Sequence, residues 1–263
     1  MPRRRLDSEL VRRGLVPTET HARAAVRSGL VSVGGFPATN AETLVGADAP
    51  VRLLGPPRPY VSRAGGKLAA ALERFAIDPA GLVCLDAGAS TGGFTDCLLQ
   101  AGAASVLAVD VGYGQLAWQL RNDPRVEVRE RTNVRDLRPQ DVQPAPQLVV
   151  ADLSFISLRS VVGGLISLAA PAAGFVLLVK PQFEAATGEV ETGGVVRDRE
   201  VWHRVLGEVV ATARTEGMGI LGLMASPLRG PAGNVEFLLW GRRGAQDDRA
   251  EIDAAITEGE ALA

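Results

Sequence analysis

The stretch Leu82-Val-Cys-Leu-Asp86-Ala-Gly88-Ala-Ser90-Thr-Gly-Gly93-Phe-Thr decides the fold of this chain. An apolar run ends in Asp86, turns through small residues from Gly88 to Gly93, and continues as an amphipathic segment. This order predicts a strand, a glycine-rich loop and a helix. Glycines let the backbone approach a ligand closely, and the N-terminus of the following helix presents free N–H groups. We therefore expect the loop to hold a cofactor.

The spacing of the glycines limits which cofactor the loop could hold. Gly88, Gly92 and Gly93 fit neither of the phosphate-binding patterns G-x-G-x-x-G and G-x-x-x-x-G-K-[ST], and no lysine follows them to meet a phosphate. A D-x-G-x-[SG]-x-G loop suits S-adenosylmethionine, whose carboxylate and ammonium need backbone groups and a nearby acid such as Asp86. The alternative is a tight turn in some other doubly wound domain.

Strands and helices alternate along the rest of the chain. We predict seven strands, at 82–86, 105–110, 126–130, 147–152, 174–180, 218–225 and 234–241. We predict helices at 68–75, 93–101, 115–121, 137–142, 157–169 and 198–216. This alternation indicates an α/β fold with a doubly wound, mostly parallel sheet and a ligand site at the carboxyl ends of the strands. No helix separates the last two strands, so we expect them to be antiparallel.

Charge is unevenly distributed along the chain. The 263 residues carry a net charge of −2 and are 46% hydrophobic, which is typical of an ordinary globular protein with room for one α/β domain and a small module. The first 60 residues, however, hold nine arginines against five acids. A basic terminus on an acidic body suggests an acidic polymer as partner.

The N-terminal residues 3–53 form the small module in this interpretation. Asp7 precedes a predicted helix at 8–13, Thr18 or Thr20 opens a second helix, and short strands follow at 31–33 and near Ala38 and Val51. Such a unit is either a surface for a phosphate backbone or a solvated, arginine-rich cap. We predict domains at 1–54 and 62–243, joined by a proline-rich linker at 55–61 and followed by a tail at 244–263 with a short helix at 250–257.

The sequence carries no clear signal for secretion or for insertion into a membrane. Cys84 and Cys97 are expected to be reduced, small hydrophobic residues, and the Arg-rich N-terminus lacks the apolar region of a signal peptide, so we expect a cytoplasmic protein. Residues 160–179 are uncharged and long enough to span a bilayer. Pro171 and Gly174 interrupt them, and we predict a helix at 158–169 and a strand at 175–179 instead.

Lysine usage gives the sharpest chemical signal. Of the 28 basic residues, only Lys67 and Lys180 are lysine. Lysine can lose its proton when it is desolvated, whereas arginine stays charged. A lone lysine at a strand end is usually a surface charge, but two surviving lysines at one predicted cleft favour a functional role.

Four acidic or amide residues are predicted near the same edge. Asp152 ends the fourth strand, and Glu236 lies two residues into the apolar last strand, where it is either on a solvent-exposed edge or buried with a lysine partner. We predict the buried arrangement. Asp110 either binds ribose hydroxyls or caps the turn at 111–114, and Asn133 either offers its amide to adenine or simply occupies a turn.

Two sets of motifs resemble known families. The segments Arg5-Leu-Asp-x-x-Leu-Val-Arg-Arg-Gly-Leu and Ala25-Val-x-x-Gly-x-Val-x-Val-x-Gly resemble the RNA-binding module named after ribosomal protein S-four. Lys67, Asp152, Lys180 and Glu236 resemble the K-D-K-E set of ribose 2′-O-methyltransferases with an FtsJ-like catalytic domain. Together they resemble the TlyA family, also called haemolysin A, whose members methylate a cytidine ribose in ribosomal RNA.

The resemblance implies a Rossmann-like class I methyltransferase fold with a small α+β RNA-binding domain in front. It implies S-adenosyl-L-methionine as cofactor, ribosomal RNA of one or both subunits as substrate, no metal, and a monomer. The implied cofactor-binding residues are Asp86, Gly88, Ser90, Thr91, Gly92, Gly93, Asp110, Val111, Asn133, Asp152 and Leu153. The implied RNA-binding residues are Arg3, Arg4, Arg5, Arg12, Arg13, Arg23 and Arg27.

The implied catalytic residues Lys67, Asp152, Lys180 and Glu236 leave two mechanisms open. Lys180 is either a neutral general base, desolvated near Lys67, or a charged group that stabilises the developing alkoxide. Three other interpretations compete. A base-nitrogen methyltransferase would place a D/N-P-P-Y/F motif after the fourth strand, where Asp152-Leu-Ser-Phe lacks the prolines. A membrane-active protein and an RNA-binding protein with a vestigial catalytic fold are the others.

Overall fold

The computed structural model describes residues 3–54, 59–246 and 251–262. The chain divides into two compact units, Met1–Pro59 and Tyr60–Ala263. Residues 55–58 of the predicted linker lie outside the described residues.

The first unit packs two short helices against small antiparallel sheets. Its elements are β1 (Arg3–Arg5), α1 (Leu6–Arg12), α2 (Glu19–Arg27), β2 (Val31–Val33), β3 (Phe36–Pro37), β4 (Leu44–Gly46) and β5 (Val51–Leu53). Strand β1 pairs with β4, and β2 lies between β3 and β5 in a second sheet. Buried Leu6, Leu10 and Val26 from the helices meet Val31 and Val45 from the strands in one core.

Two details of this unit differ from the sequence prediction. Asp7 was predicted to precede the first helix, but it lies in the first turn of α1 and is fully buried. The charge-assisted bonds from Arg5 and Arg23 allow its carboxylate to be buried there, inside the helix rather than before it. At the second helix, Thr18 is the N-cap, because its side chain accepts the N–H of His21.

The second unit is a three-layer α/β/α fold. Its strands are β6 (Val83–Ala87), β7 (Ser105–Val109), β8 (Val126–Arg129), β9 (Leu148–Ala151), β10 (Gly174–Val179), β11 (Met218–Ala225) and β12 (Phe237–Arg243). Its helices are α3 (Arg63–Arg74), α4 (Gly93–Gln100), α5 (Trp118–Arg121), α6 (Val162–Leu168), α7 (Pro181–Glu184), α8 (Arg199–Thr215) and α9 (Ile252–Glu260).

The seven strands form one sheet in the order β11-β12-β10-β9-β6-β7-β8. Neighbouring strands from β10 to β8 are parallel, whereas β12 runs antiparallel to both β10 and β11. The predicted mostly parallel sheet with an antiparallel last strand is therefore confirmed. Strand β6 lies between β7 and β9 in the sheet. The chain leaves β6 toward β7 and β8 on one side and later returns to β9 on the other side, so the strand order reverses at β6. Such a point in a doubly wound sheet forms a ligand crevice.

Side chains along each strand alternate between the two faces of the sheet. Leu85 and Leu177 join one core with α6, α8 and α9, whereas Cys84 and Val176 join the other core with α3 and α4. Both faces are covered by helices, which explains why the parallel strands are apolar throughout.

Several predicted helices are shorter or shifted in the structure. The predicted helix at 68–75 begins earlier, at Arg63, and the one at 115–121 is only the single turn α5. The predicted helix at 137–142 is only a 3₁₀ turn at Pro139–Asp141, because the residue before a proline disfavours helical backbone and a helix therefore cannot begin at 137. The predicted helix at 157–169 begins as a 3₁₀ turn, Leu158–Ser160, before α6.

The uncharged stretch at 160–179 divides into α6 and β10. Among the described residues, no helix is long and apolar enough to cross a membrane. The tail is also part of the fold: α9 buries Ala255 and Ile256 in the core beside α8 and β11.

Candidate active site

The glycine loop after β6 lies against the end of β9. Gly88 has a φ of +86°, and a Cβ atom there would lie 2.6 Å from the carbonyl oxygen of Asp152. The backbone N–H of Asp152 in turn donates to the carbonyl of Ala87. Only glycine allows both this conformation and this approach, so Gly88 brings the loops after β6 and β9 together.

Asp86 lies beneath this loop. It is fully buried, and one carboxylate oxygen accepts the Thr95 hydroxyl at 2.6 Å while the other has no hydrogen-bond partner among the described residues. Burial raises the pKa of Asp86 to about 7, and the negative charges of Asp152 and Asp110 add to the effect. Asp86 does not line either of the two cavities described next. Its hydrogen bond with Thr95 instead connects β6 to α4.

A cavity of about 520 Å³ opens at the carboxyl ends of β7 and β9. Asp110 stands at its wall and accepts the backbone N–H groups of Ser90, at 2.8 Å, and Gly112, at 2.6 Å. Asn133 also lines it and caps a 3₁₀ turn by accepting the N–H of Arg135. The predicted cofactor-binding residues on this wall are Gly88, Ser90, Asp110, Val111, Asn133, Asp152 and Leu153.

One side of this cavity carries backbone donors with no protein partner. Within the described part of the chain, the N–H groups of Leu153, Ser154, Phe155 and Ile156 donate no hydrogen bond. All four residues line the cavity, so their N–H groups are available to a ligand with several acceptors that takes the place of water. The cavity size also lies within the range of small-molecule sites.

A second cavity of about 280 Å³ adjoins the first and shares Gly88, Ser90, Asp152 and Ser154 with it. All four predicted catalytic residues line this second cavity. They are Lys67, Asp152, Lys180 and Glu236. Thr91 and Gly93 also reach it, whereas Gly92 lies at the N-cap of α4 and reaches neither cavity.

The two lysines are both ion-paired with carboxylates. Lys67 donates to Glu236, and both side chains are buried. The Nζ atom of Lys180 lies 2.6 Å from Asp152 Oδ1 and donates to the Ser154 hydroxyl at 2.8 Å. Two charged pairs therefore face one cavity.

Each of these residues is placed by a different element. Lys67 lies on α3, which can approach α4 closely because Gly65 has no side chain; a Cβ atom there would lie 2.8 Å from the Gly93 carbonyl oxygen. Asp152 and Lys180 directly follow β9 and β10 at the carboxyl edge. Glu236 was predicted inside the last strand, but it directly precedes β12, because the pairing of β12 with β10 and β11 begins only at Phe237.

A family model described as FtsJ-like methyltransferase matches residues 60–243, and one described as S4 domain matches residues 4–51. The 16S/23S rRNA (cytidine-2′-O)-methyltransferase TlyA of Mycobacterium tuberculosis is 49% identical over 98% of both chains. The chain belongs to the TlyA family of FtsJ-like methyltransferases. The predicted family is thus confirmed.

Solved structures agree with this assignment. A candidate hemolysin of Streptococcus thermophilus is 36% identical, with a TM-score of 0.76 over 100% of this chain and 97% of that one. A candidate S-adenosylmethionine-dependent methyltransferase of Listeria monocytogenes has a TM-score of 0.53 over 69% of this chain and 99% of that one, at 16% identity. The second likeness shows the fold alone, and it confirms the predicted class I architecture.

The arginines of the S-four-like module of this TlyA-family chain fall into two groups. Arg5 and Arg23 pair with buried Asp7, and Arg12 and Arg13 pair with buried Glu9. These bonds hold the pKa of Asp7 well below its usual range, chiefly through Arg5, and lower that of Glu9 to about 2, chiefly through Arg12. The remaining members of the predicted RNA-binding set are exposed and form no ion pair with a described residue: Arg3, Arg4 and Arg27.

Two residues near the site escaped the sequence analysis. Ser154 bonds Lys180, and its only signal was its position two residues after Asp152. Glu184 is buried, and its carboxylate accepts the Ser157 hydroxyl and the Leu158 N–H in the segment after Ser154. No group of three metal-binding side chains is found among the described residues, and both cysteines are buried and free, with pKa values that burial raises to about 12.

Proposed function

We propose that this chain transfers a methyl group from S-adenosylmethionine to the 2′-hydroxyl of a cytidine ribose in ribosomal RNA. The observation that carries the proposal is the pairing of Lys67 with Glu236 and of Lys180 with Asp152 around one cavity. The relative from M. tuberculosis is named for this reaction on 16S and 23S RNA. One or both ribosomal subunits are the substrates that we propose here.

The larger cavity fits the cofactor. Asp110 offers a carboxylate for ribose hydroxyls, Asn133 an amide for adenine, and the N–H groups of 153–156 are free to donate. Gly88 keeps the loops after β6 and β9 in contact at the wall of this cavity. When bound, S-adenosylmethionine supplies a methyl group on a positively charged sulfur.

The smaller cavity fits the hydroxyl that is to be methylated. A ribose 2′-hydroxyl is a weak nucleophile, so it must be oriented, and the negative charge that develops on its oxygen must be stabilised. Lys180 is fixed by an ion pair with Asp152 and a hydrogen bond to the Ser154 hydroxyl. We therefore propose that Lys180 acts as a charged donor to the 2′-oxygen rather than as a neutral base.

Lys67 and Glu236 line the smaller cavity together with Lys180 and Asp152. The pair is buried, so neither charge is free to leave the cavity, and truncating one partner would strand the other charge. We propose that Lys67 adds positive charge near the reacting oxygen and that Glu236 fixes its position. All four groups come from one chain, and we propose that the enzyme works as a monomer in the cytoplasm, where ribosomes are.

The experiment is transfer of a labelled methyl group from S-adenosylmethionine to unmodified ribosomal subunits by the wild type and by Lys180→Arg. A 2′-O-methyl group blocks alkaline cleavage of the adjacent phosphodiester, so alkaline hydrolysis followed by mapping identifies the modified ribose. We expect wild-type incorporation at a cytidine ribose and a loss of at least about a hundredfold in Lys180→Arg, because the guanidinium cannot reproduce the geometry of the ammonium.

Glu208→Gln is the control, since Glu208 lies on α8 and lines neither cavity. It should retain wild-type transfer. Label in an alkali-labile nucleotide would instead favour the base-nitrogen methyltransferase. A fully active Lys180→Arg would show that the lysine is not required.

A further inference from the structure

The segment 152–158, here called the Asp152 loop, is held in an unusual way. Asp152 donates its N–H to the Ala87 carbonyl at 3.0 Å, but the next four residues make no backbone hydrogen bond as donors within the described residues. Phe155 adopts a φ of +63° and is 91% exposed. A non-glycine residue in that conformation is strained, so something outside the loop must maintain it.

The first part of the loop is held by the segment that begins at Lys180. Lys180 bonds both Asp152 and Ser154, and the rings of Phe155 and Phe183 lie 5.2 Å apart between centroids. These contacts tie the reactive side of the loop to the segment 180–183. They also make the position of Lys180 depend on the position of the loop.

The second part of the loop is held by one carboxylate. Glu184 ends α7, and its side chain is 1% exposed. Its two oxygens accept the Ser157 hydroxyl at 2.5 Å and the Leu158 N–H at 2.6 Å, and Arg159 Nε approaches at 3.2 Å. Because the carboxylate is buried and every bond to it involves a charge, each bond is stronger than a neutral one.

We propose that Glu184 is a positioning residue for methyl transfer. By fixing Ser157 and Leu158 it anchors the far end of the Asp152 loop, so that Asp152 and Ser154 hold Lys180 and the free N–H groups stay at the wall of the larger cavity. The role in methyl transfer rests on the function proposed above. The anchoring itself does not, since it predicts a change in the protein alone.

Exposed Phe155 provides a direct test of loop order in the free protein. Chymotrypsin cleaves after phenylalanine in segments that can adapt to its active site, so cleavage at Phe155, identified by mass spectrometry, reports loop mobility. We expect Glu184→Ala to be cleaved there about tenfold faster than the wild type or more. Glu208→Gln removes the charge of a different partner of Arg159 and should be cleaved at the wild-type rate.

Cofactor affinity and kinetics give the functional readouts. We expect Glu184→Ala to weaken binding of S-adenosylhomocysteine, measured by calorimetry, about tenfold, and to lower kcat with little change in the KM for ribosomal subunits. Glu184→Gln keeps a carbonyl for the Leu158 N–H and an amide for the Ser157 hydroxyl, but its amide would face the Arg159 Nε donor, so it should restore only part of the cofactor affinity and of kcat. A residue that only stabilised the fold would lower the melting temperature without this split between kcat and KM.

If Glu184→Ala fails to fold, Ser157→Ala removes one of the same bonds at little cost in volume, and a smaller increase in cleavage is expected. Wild-type cleavage and affinity in Glu184→Ala, or equal effects in Glu208→Gln, would overturn the proposal. Wild-type protein that methylates no ribose would overturn the proposed function instead, while the cleavage and binding results would still decide the anchoring role.

Discussion

At the scale of single residues, the site depends on a glycine that no other residue can replace. Gly88 combines a φ of +86° with a backbone oxygen 2.6 Å from where a Cβ atom would be. We expect Gly88→Ala to separate the loops after β6 and β9 and to weaken cofactor binding at least about tenfold, measured by calorimetry. The carbonyl of Asp152 cannot move away from a Cβ at Gly88 without displacing Asp152, which is itself a residue of the site.

Gly81 is the matched control for this change. Its φ is +72°, but a Cβ atom there would meet nothing within 4 Å. Gly81→Ala should therefore cost about 1 kcal/mol of stability through backbone strain and leave cofactor affinity unchanged. Equal losses of affinity in both variants would mean that strain, and not the close approach at Gly88, limits binding.

Asp86 gives the site a pH-dependent stability. Its carboxyl loses a proton near pH 4 in the unfolded chain, whereas burial raises the folded pKa to about 7. Between these values the folded state binds more protons, so the free energy of unfolding should fall as pH rises from about 4 to 7 and then level off. Urea unfolding of cofactor-free protein at pH 5 and pH 8 should show a smaller fall for Asp86→Asn. The same fall in both proteins would contradict this assignment.

At the scale of elements, the parallel strands were predictable because each is an apolar run followed by a turn signal at the carboxyl edge. The start of α3 was missed because Gly65 and Gly66 have low helix propensity, and the reason for Gly65 is a contact with α4 that no local pattern reveals. Strand β1 was missed for a related reason. Its three arginines lack apolar alternation, and pairing with β4 alone makes it a strand.

In the candidate site, too, local sequence patterns predicted some residues, and tertiary contacts alone determine others. The sequence predicted that Lys67, Asp152, Lys180 and Glu236 converge, because Asp152 and Lys180 follow strands at one edge of the sheet and a buried Glu236 needs a lysine partner. It could not give Glu184, whose hydrogen bonds reach back 26 and 27 residues to Leu158 and Ser157 in a loop without regular structure.

Helix α9 is the element whose importance the sequence understated. Ile256 is fully buried in the core beside β11, and Glu258 bonds both Arg74 on α3 and the N–H of Ala225. We expect Ile256→Ala to lower the free energy of unfolding by roughly 2–4 kcal/mol, measured in urea. Ile252→Ala, at a half-buried position of the same helix, should cost less. Equal small effects would mean that α9 unfolds separately from the rest.

At the scale of the whole molecule, fewer arginines of the first unit are available to bind RNA than the charge of the sequence suggests. Four of its arginines are committed to two buried carboxylates, Asp7 and Glu9, which serve the fold of that unit. A phosphate backbone that bound these arginines would compete with bonds already made. The arginines outside these pairs are the better candidates for RNA contact.

Salt dependence of RNA binding tests this distinction on the full chain. Replacing Arg3 and Arg4 with alanine removes two exposed charges that form no ion pair with a described residue. Each lost phosphate contact should lower the slope of log affinity against log salt by about 0.7–0.9. Replacing Arg12 and Arg23 removes the same net charge but leaves Glu9 with Arg13 and Asp7 with Arg5. We expect that second pair of substitutions to leave the slope for a ribosomal RNA fragment nearly unchanged. If both double variants lowered the slope equally, RNA would be displacing the internal carboxylates, and the unit would have to rearrange its buried ion pairs when it binds.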